Sequence, residues 1–185
     1  MEEFNFCVYN AYARNGVSIA LKRMVKPEDR PVILCIGSDA VMGDALSPLI
    51  GTLLKENYKY DGYVYGTLKS TVTAKEVNYA EDFIRTFHPG SKIIAVDAAV
   101  GRADDIGLIK VTDGGLFPGQ GVNKELNKVG DVSVMGIVAE KSIMNYALLN
   151  VTRMNLIYKI ADTIAGAIHD ALAVKYEYPR REQAV

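Results

Sequence analysis

The chain has no tryptophan, only two cysteines and two histidines, and almost no net charge: 21 Lys and Arg stand against 22 Asp and Glu. That balance removes the electrostatic footprint of a nucleic-acid binder or of a protein held on an anionic membrane. Low net charge favours self-association, so a homo-oligomer is open. No apolar run reaches the ~18 residues that a membrane-spanning helix requires. The N-terminus opens Met1-Glu2-Glu3, acidic where a secretory signal is basic. Cys7 and Cys35 have no C-x-x-C spacing, and Cys35 sits inside an apolar run, which fits a reducing compartment and a core thiol. The expectation is a cytoplasmic protein without a leader.

Other absences narrow the chemistry. His88 and His169 are far apart in sequence, and neither has a second His or Cys at ligand spacing. No cofactor and no metal are expected, with a site built from carboxylates alone as the open alternative. A Walker A motif and a G-x-S-x-G elbow are both missing. The glycines of Gly37 to Gly43 do not match G-x-G-x-x-G, and Asp44 would oppose a pyrophosphate at the following helix.

What is present is a single α/β pattern of ordinary composition, 49% hydrophobic and 23% charged over 185 residues. Residues 1–29 read as a helical lead-in, with Tyr12, Val17, Ala20, Leu21 and Met24 on one side. Val32-Ile33-Leu34-Cys35-Ile36 reads as a strand buried on both faces, followed by a loop and a helix through about residue 56. A strand at 62–66 and a helix over 74–87 follow, the helix with Val77, Ala80, Phe83, Ile84 and Phe87 on one side. Lys92 to Val96 is a third strand finishing at Asp97. Residues 98–130 are glycine-rich and contain one more strand at 106–111. Val132 to Val138 is another, and a long helix runs from Ser142, its candidate N-cap, to about Val174. The tail 176–185 is expected to fray.

In an open parallel sheet, ligands bind beyond the carboxyl ends of the strands. Two carboxylates fall there: Asp44, placed by the pattern in the first turn of its helix, and Asp97. Helix-end amides favour an ionised Asp44, and a close pair would split its two pKa values, as general acid–base hydrolysis requires. The bland alternative is that Asp44 caps a helix and Asp97 bonds to a neighbouring loop. The loop residues Gly37, Ser38 and Asp39 lie beside this rim as candidates for binding substrate. Backbone amides of the Gly-rich loops, Gly37 among them, are expected to stabilise a tetrahedral oxyanion. In the stretch from Asp113 to Lys124, Leu116 and Phe117 suit an apolar pocket, while Gly119 and Gly121 permit close backbone approach. Asn123, Lys124 and Asn78 are candidates for orienting a carbonyl or balancing the carboxylates.

The segments VILCIGSDAVMGDALSPLIGTLL, VYGTL, IIAVDAAVGR and GLFPGQGVNKELNKVGDVSVMGIV resemble a sporulation protein family of Firmicutes, of the DUF1256 type, over residues 31–165. That family is related to the spore germination protease. The protease has one catalytic Asp in a segment similar to Asp44-Ala45-Leu46-Ser47-Pro48, with Gly where this chain has Ser47. Its second lies in a segment similar to Val96-Asp97-Ala98. The resemblance implies a three-layer α/β/α sandwich of the phosphorylase/hydrolase-like type, with a mostly parallel central sheet. It also implies Asp44 and Asp97 as a catalytic dyad of an atypical aspartic-type endopeptidase.

The partners so implied are a protein or peptide substrate, including a small acid-soluble spore protein, with no nucleic acid and no membrane; the setting implied is the forespore or spore core. The hydrogenase maturation proteases share the wider fold, but grip nickel with a histidine from a span that holds none here, residues 89–168. A non-catalytic peptide- or partner-binding protein of the same fold is the rival expectation.

Overall fold

Segments rich in β-branched residues pair into one six-stranded sheet in the computed structural model, which describes residues 2–118, 128–141 and 149–173. In chain order the elements are β1 (Glu3–Cys7), α1 (Ala13–Met24), β2 (Val32–Cys35), α2 (Leu46–Glu56), β3 (Tyr63–Tyr65) and α3 (Val77–Phe87). Then come β4 (Ile93–Gly101), β5 (Leu108–Asp113), β6 (Val132–Glu140) and α4 (Met154–Leu172). The strand order is β1-β5-β6-β4-β2-β3. Strands β6, β4, β2 and β3 run parallel, and β5 is antiparallel to both of its neighbours. The mostly parallel α/β architecture expected from the strand–helix alternation is the one adopted.

Period-2 alternation divides the sheet between two cores. Ile33, Cys35, Ile94, Val96, Ile109, Val111 and Val134 face α1, α2 and α4, which present Leu21, Leu46, Ile50, Leu54, Ile157, Ile160 and Ile164. Val32, Leu34, Ile93 and Ala95 face the other way, against Val77 and Ile84 of α3 together with Leu116 and Val129. Among the described residues the sandwich is therefore lopsided, with three helices on one side and one on the other. Bidentate bonds from Arg14 to Asp170, at 2.7 and 2.9 Å, pin α1 to α4. Both side chains are about 40% exposed, so this pair sets geometry more than stability. No helix of the described residues is long and apolar enough to cross a membrane.

Several expectations change. Residues 1–29 are not merely a helical lead-in: Glu3–Cys7 forms β1, an edge strand paired antiparallel with β5 from Glu3↔Thr112 to Cys7↔Leu108. Its signal is the alternation of Glu3, Asn5 and Cys7 with Phe4 and Phe6, too short to stand out beside the helix pattern that follows. Helix α1 buries Val17, Ala20, Leu21 and Met24 in the main core, while Tyr12 is exposed. Strand β4 does not finish at Asp97 but continues to Gly101, because β6 pairs with it to Glu140. In α3, Val77 and Ile84 are buried, but Phe83 and Phe87 stay exposed and stack on each other with centroids 4.3 Å apart. The edge strand β3 is only three residues long and leaves them uncovered. The final helix is described from Met154; Ser142 and the tail 176–185 lie outside the described residues.

Leu54 is completely buried between α2 and the sheet, away from the carboxylates. Leu54→Ala is expected to lower the unfolding free energy by about 2–5 kcal/mol in urea denaturation. A change below ~1 kcal/mol would contradict this packing.

Candidate active site

Strand β2 ends where its parallel bond partners end, at Cys35↔Val96, and the chain turns out over the sheet edge. Burial pushes the Cys35 thiol up to about 12, so it is a core group and no nucleophile at neutral pH. The loop after it is held at both ends. The Gly37 amide donates to the Val72 carbonyl at 2.9 Å, and the Gly43 amide donates to the Leu149 carbonyl at 2.9 Å. A Cβ at Gly37 would fall 2.2 Å from the Asp44 carbonyl oxygen, so only glycine lets this strand exit pass directly against the Asp44 turn.

Asp44 itself precedes α2, whose N-cap is Ala45 and whose first residue is Leu46. The expectation that it occupies the first helical turn is therefore corrected by two positions. Its electrostatics change with it. Burial raises the Asp44 pKa above the ordinary carboxylate value, and a hydrogen bond from the Ser38 backbone opposes this only in part. The helix terminus does not hold it low, because desolvation is the larger effect.

Asp97 lies on β4 one residue past the last pair with β2, so one of its flanks is open while β6 continues along the other. Alternation puts its side chain on the face of Ala95, toward α3. It is 6% exposed, and its Oδ1 accepts the Ala98 amide at 2.8 Å.

Asp44 and Asp97 both line one cavity of about 300 Å³. Gly37, Ile36, Ala74, Leu149 and the β4 extension Ala98–Val100 wall it, with Leu116 and Phe117 on another side. Its floor is formed by Glu3, Thr112, Ser133 and Met135. Of the other sequence candidates, Ser38 and Asp39 sit on the loop but do not line the cavity. Ser38 instead serves the loop, its Oγ accepting the Ala40 amide at 3.2 Å. Asn78 is exposed on α3 and stands apart. Gly119, Gly121, Asn123 and Lys124 lie outside the described residues.

The expected oxyanion role for Gly37 is also corrected, since its amide is committed to Val72. Glu3, Thr112 and Ser133 also line the cavity, and no local sequence signal marks them. Only the register of β1, β5 and β6 reveals them, and the sequence pattern alone does not mark β1 as a strand.

The histidines are elsewhere. His88 Nε2 is 2.8 Å from the Tyr65 hydroxyl, and His169 lies near the end of α4. Among the described residues no group of three or more His, Cys, Asp or Glu is placed to hold a metal ion.

The chain belongs to the family described as "Protein of unknown function (DUF1256)", whose model matches residues 6–167. It is 38% identical over 159 residues to the protein YyaC of Bacillus subtilis (strain 168), covering 85% of this chain and 78% of that one. Its fold is that of HycI, a [NiFe] hydrogenase maturation protease from Thermococcus kodakarensis KOD1. The TM-score is 0.54 over 83% of this chain and 99% of that one, at 20% sequence identity.

Two measurements follow from this geometry. A raised pKa means that the folded chain binds the Asp44 proton more tightly than the unfolded one does. The associated stability is complete below the ordinary Asp value and is lost as pH rises through the folded pKa. Asp44→Asn should therefore raise the thermal midpoint near neutral pH, with the gain vanishing as pH falls toward ~4. A gain that does not change with pH would show that burial of the charge is not its source. Ser47 Oγ, on the first turn of α2, is completely buried without a hydrogen-bond partner. Ser47→Ala is expected to stabilise by about 1 kcal/mol in urea denaturation, and a loss of stability would reveal a partner.

Proposed function

We propose that this protein is a peptidase in which Asp44 and Asp97 hydrolyse a peptide bond of an intracellular protein in a sporulating cell. The observation that carries the proposal is that the two carboxylates, from different elements, line one cavity with room for a substrate side chain. The fold is shared with a hydrogenase maturation protease, and the segments around both residues resemble those of the spore germination protease; both likenesses support the reading.

The environments divide the labour. Asp44, whose pKa is raised by burial, is the group that carries a proton. Asp97, which accepts the Ala98 amide, is the base. In the first step Asp97 takes a proton from water as the water oxygen bonds to the scissile carbonyl carbon. In the second the C–N bond breaks and the departing nitrogen takes the proton from Asp44. Gly37 does not supply the oxyanion donor. No resident metal or cofactor is part of this scheme.

The test uses the purified chain with a small acid-soluble spore protein as substrate, beside Asp44→Asn and Asp97→Asn. Wild type is expected to cleave it, and each variant to lose about 10²–10⁴-fold in rate. Cleavage retained by both variants sinks the dyad. A folded wild type that binds this substrate without cutting it identifies the non-catalytic, peptide-binding alternative.

A further inference from the structure

The cavity floor holds a second polar feature. Glu3 on β1 is opposite Thr112 on β5, Thr112 is opposite Ser133 on β6, and Ser133 is opposite Ala95 on β4. These side chains form a row across the face that also carries Asp97, which lies two residues further along β4. Thr112 is 7% exposed and Ser133 1%, yet both line the cavity. Among the described residues neither hydroxyl has a hydrogen-bond partner, and neither is sealed from solvent as Ser47 Oγ is. Both therefore open into the cavity. A hydroxyl so placed forgoes the partner that nearly all buried polar groups have, and a ligand in the cavity restores it.

The charges around the row select the ligand. Glu3 and Asp97 line the cavity as carboxylates beside the proton-carrying Asp44, and among the described residues no lysine or arginine lines it. Lys110 Nζ is 3.9 Å from Glu3 Oε1, in a partly exposed pair that neutralises little. Glu3 also accepts a bond from Asn5 Nδ2 at 3.1 Å. An anionic side chain would meet repulsion from Glu3 and Asp97 here, and a cation would find their oxygens and the two hydroxyl oxygens as acceptors.

We propose that Thr112, Ser133 and Glu3 form a specificity subsite that takes the lysine or arginine side chain of a polypeptide bound across Asp44 and Asp97. The peptide part of this statement rests on the proposed function; the cation preference does not. From strand spacing and rise, the Ser133 and Asp97 backbones are about 8 Å apart. That is within the reach of one long side chain belonging to a residue next to the bond being cut.

The test is binding rather than turnover. Nα-acetyl-arginine amide, Nα-acetyl-glutamine amide and Nα-acetyl-glutamate amide are titrated into the 15N-labelled wild-type chain and followed by NMR. The arginine amide is expected to shift Thr112, Ser133 and Asp97 and to bind at least about tenfold more tightly than the glutamate amide. Thr112→Val/Ser133→Ala should weaken arginine binding about tenfold, the loss of two hydrogen bonds. Glu3→Gln should weaken the arginine amide while sparing the glutamine amide.

Equal binding of all three probes, no binding of any, or arginine binding untouched in the double variant overturns the subsite. Thermal melts report whether the double variant folds, and Ser133→Ala alone carries the comparison if it does not. A wild type that prefers arginine amide but cuts no protein overturns only the peptidase reading. One that cuts without preferring cations overturns only the subsite.

Discussion

Everything at the site depends on the parallel pairing of β2 with β4, Val32↔Ile93 through Cys35↔Val96. Parallel neighbours deliver their carboxyl ends to the same edge of a sheet. The loop carrying Asp44 and the strand position of Asp97 are therefore brought to one rim although more than fifty residues separate them. The register matters as much as the direction. One residue of slip would turn Asp97 into the three-helix core among Val96 and Ala98, where a carboxylate has no water and little room.

The rim is also where the chain departs from what stability alone would choose. Asp44 is desolvated, Ser47 Oγ is sealed without a partner, and the Thr112 and Ser133 hydroxyls point into a cavity. Elsewhere the described polar groups are conventional: Arg85 bridges to Asp131 at 2.9 and 3.0 Å, and Tyr58 donates to Asp162 at 2.9 Å. Departures concentrated in one place mark functional sites, because the surrounding fold must offset their cost. Gly37 shows the offset in detail. Losing its side chain lets the β2 exit lie against the Asp44 turn, and its amide is spent holding that exit to Val72.

Much of this was legible in the residues. The buried strands β2 and β4 announce themselves as apolar runs, and the turn signals after them place Asp44 and Asp97 at the carboxyl edge. What was not legible depended on partners distant in sequence. That β4 continues past Asp97 follows from β6 pairing beyond it, and Ala98-Ala99-Val100-Gly101 alone reads as easily as a loop. That Asp44 has a raised pKa follows from its burial in the folded rim, whereas local sequence shows only a helix start. The polar floor was the hardest part. Glu3, Thr112 and Ser133 come from three separate segments, and nothing in any one of them signals the others.

The lopsided layering then decides how a substrate can approach. On one face α1, α2 and α4 cover the sheet, and a chain-sized ligand has no route through them. On the other, among the described residues, α3 alone packs beside Leu116 and Val129, and alternation points Asp97, Ser133, Thr112 and Glu3 to that side. A polypeptide crossing this face meets the carboxylates at the β2–β4 edge and the hydroxyl row toward β1. The same pleat that orients the catalytic candidate thus orients the groups that would read the neighbouring side chain. Catalysis and selection would therefore be coupled through strand register, and not through a mobile loop.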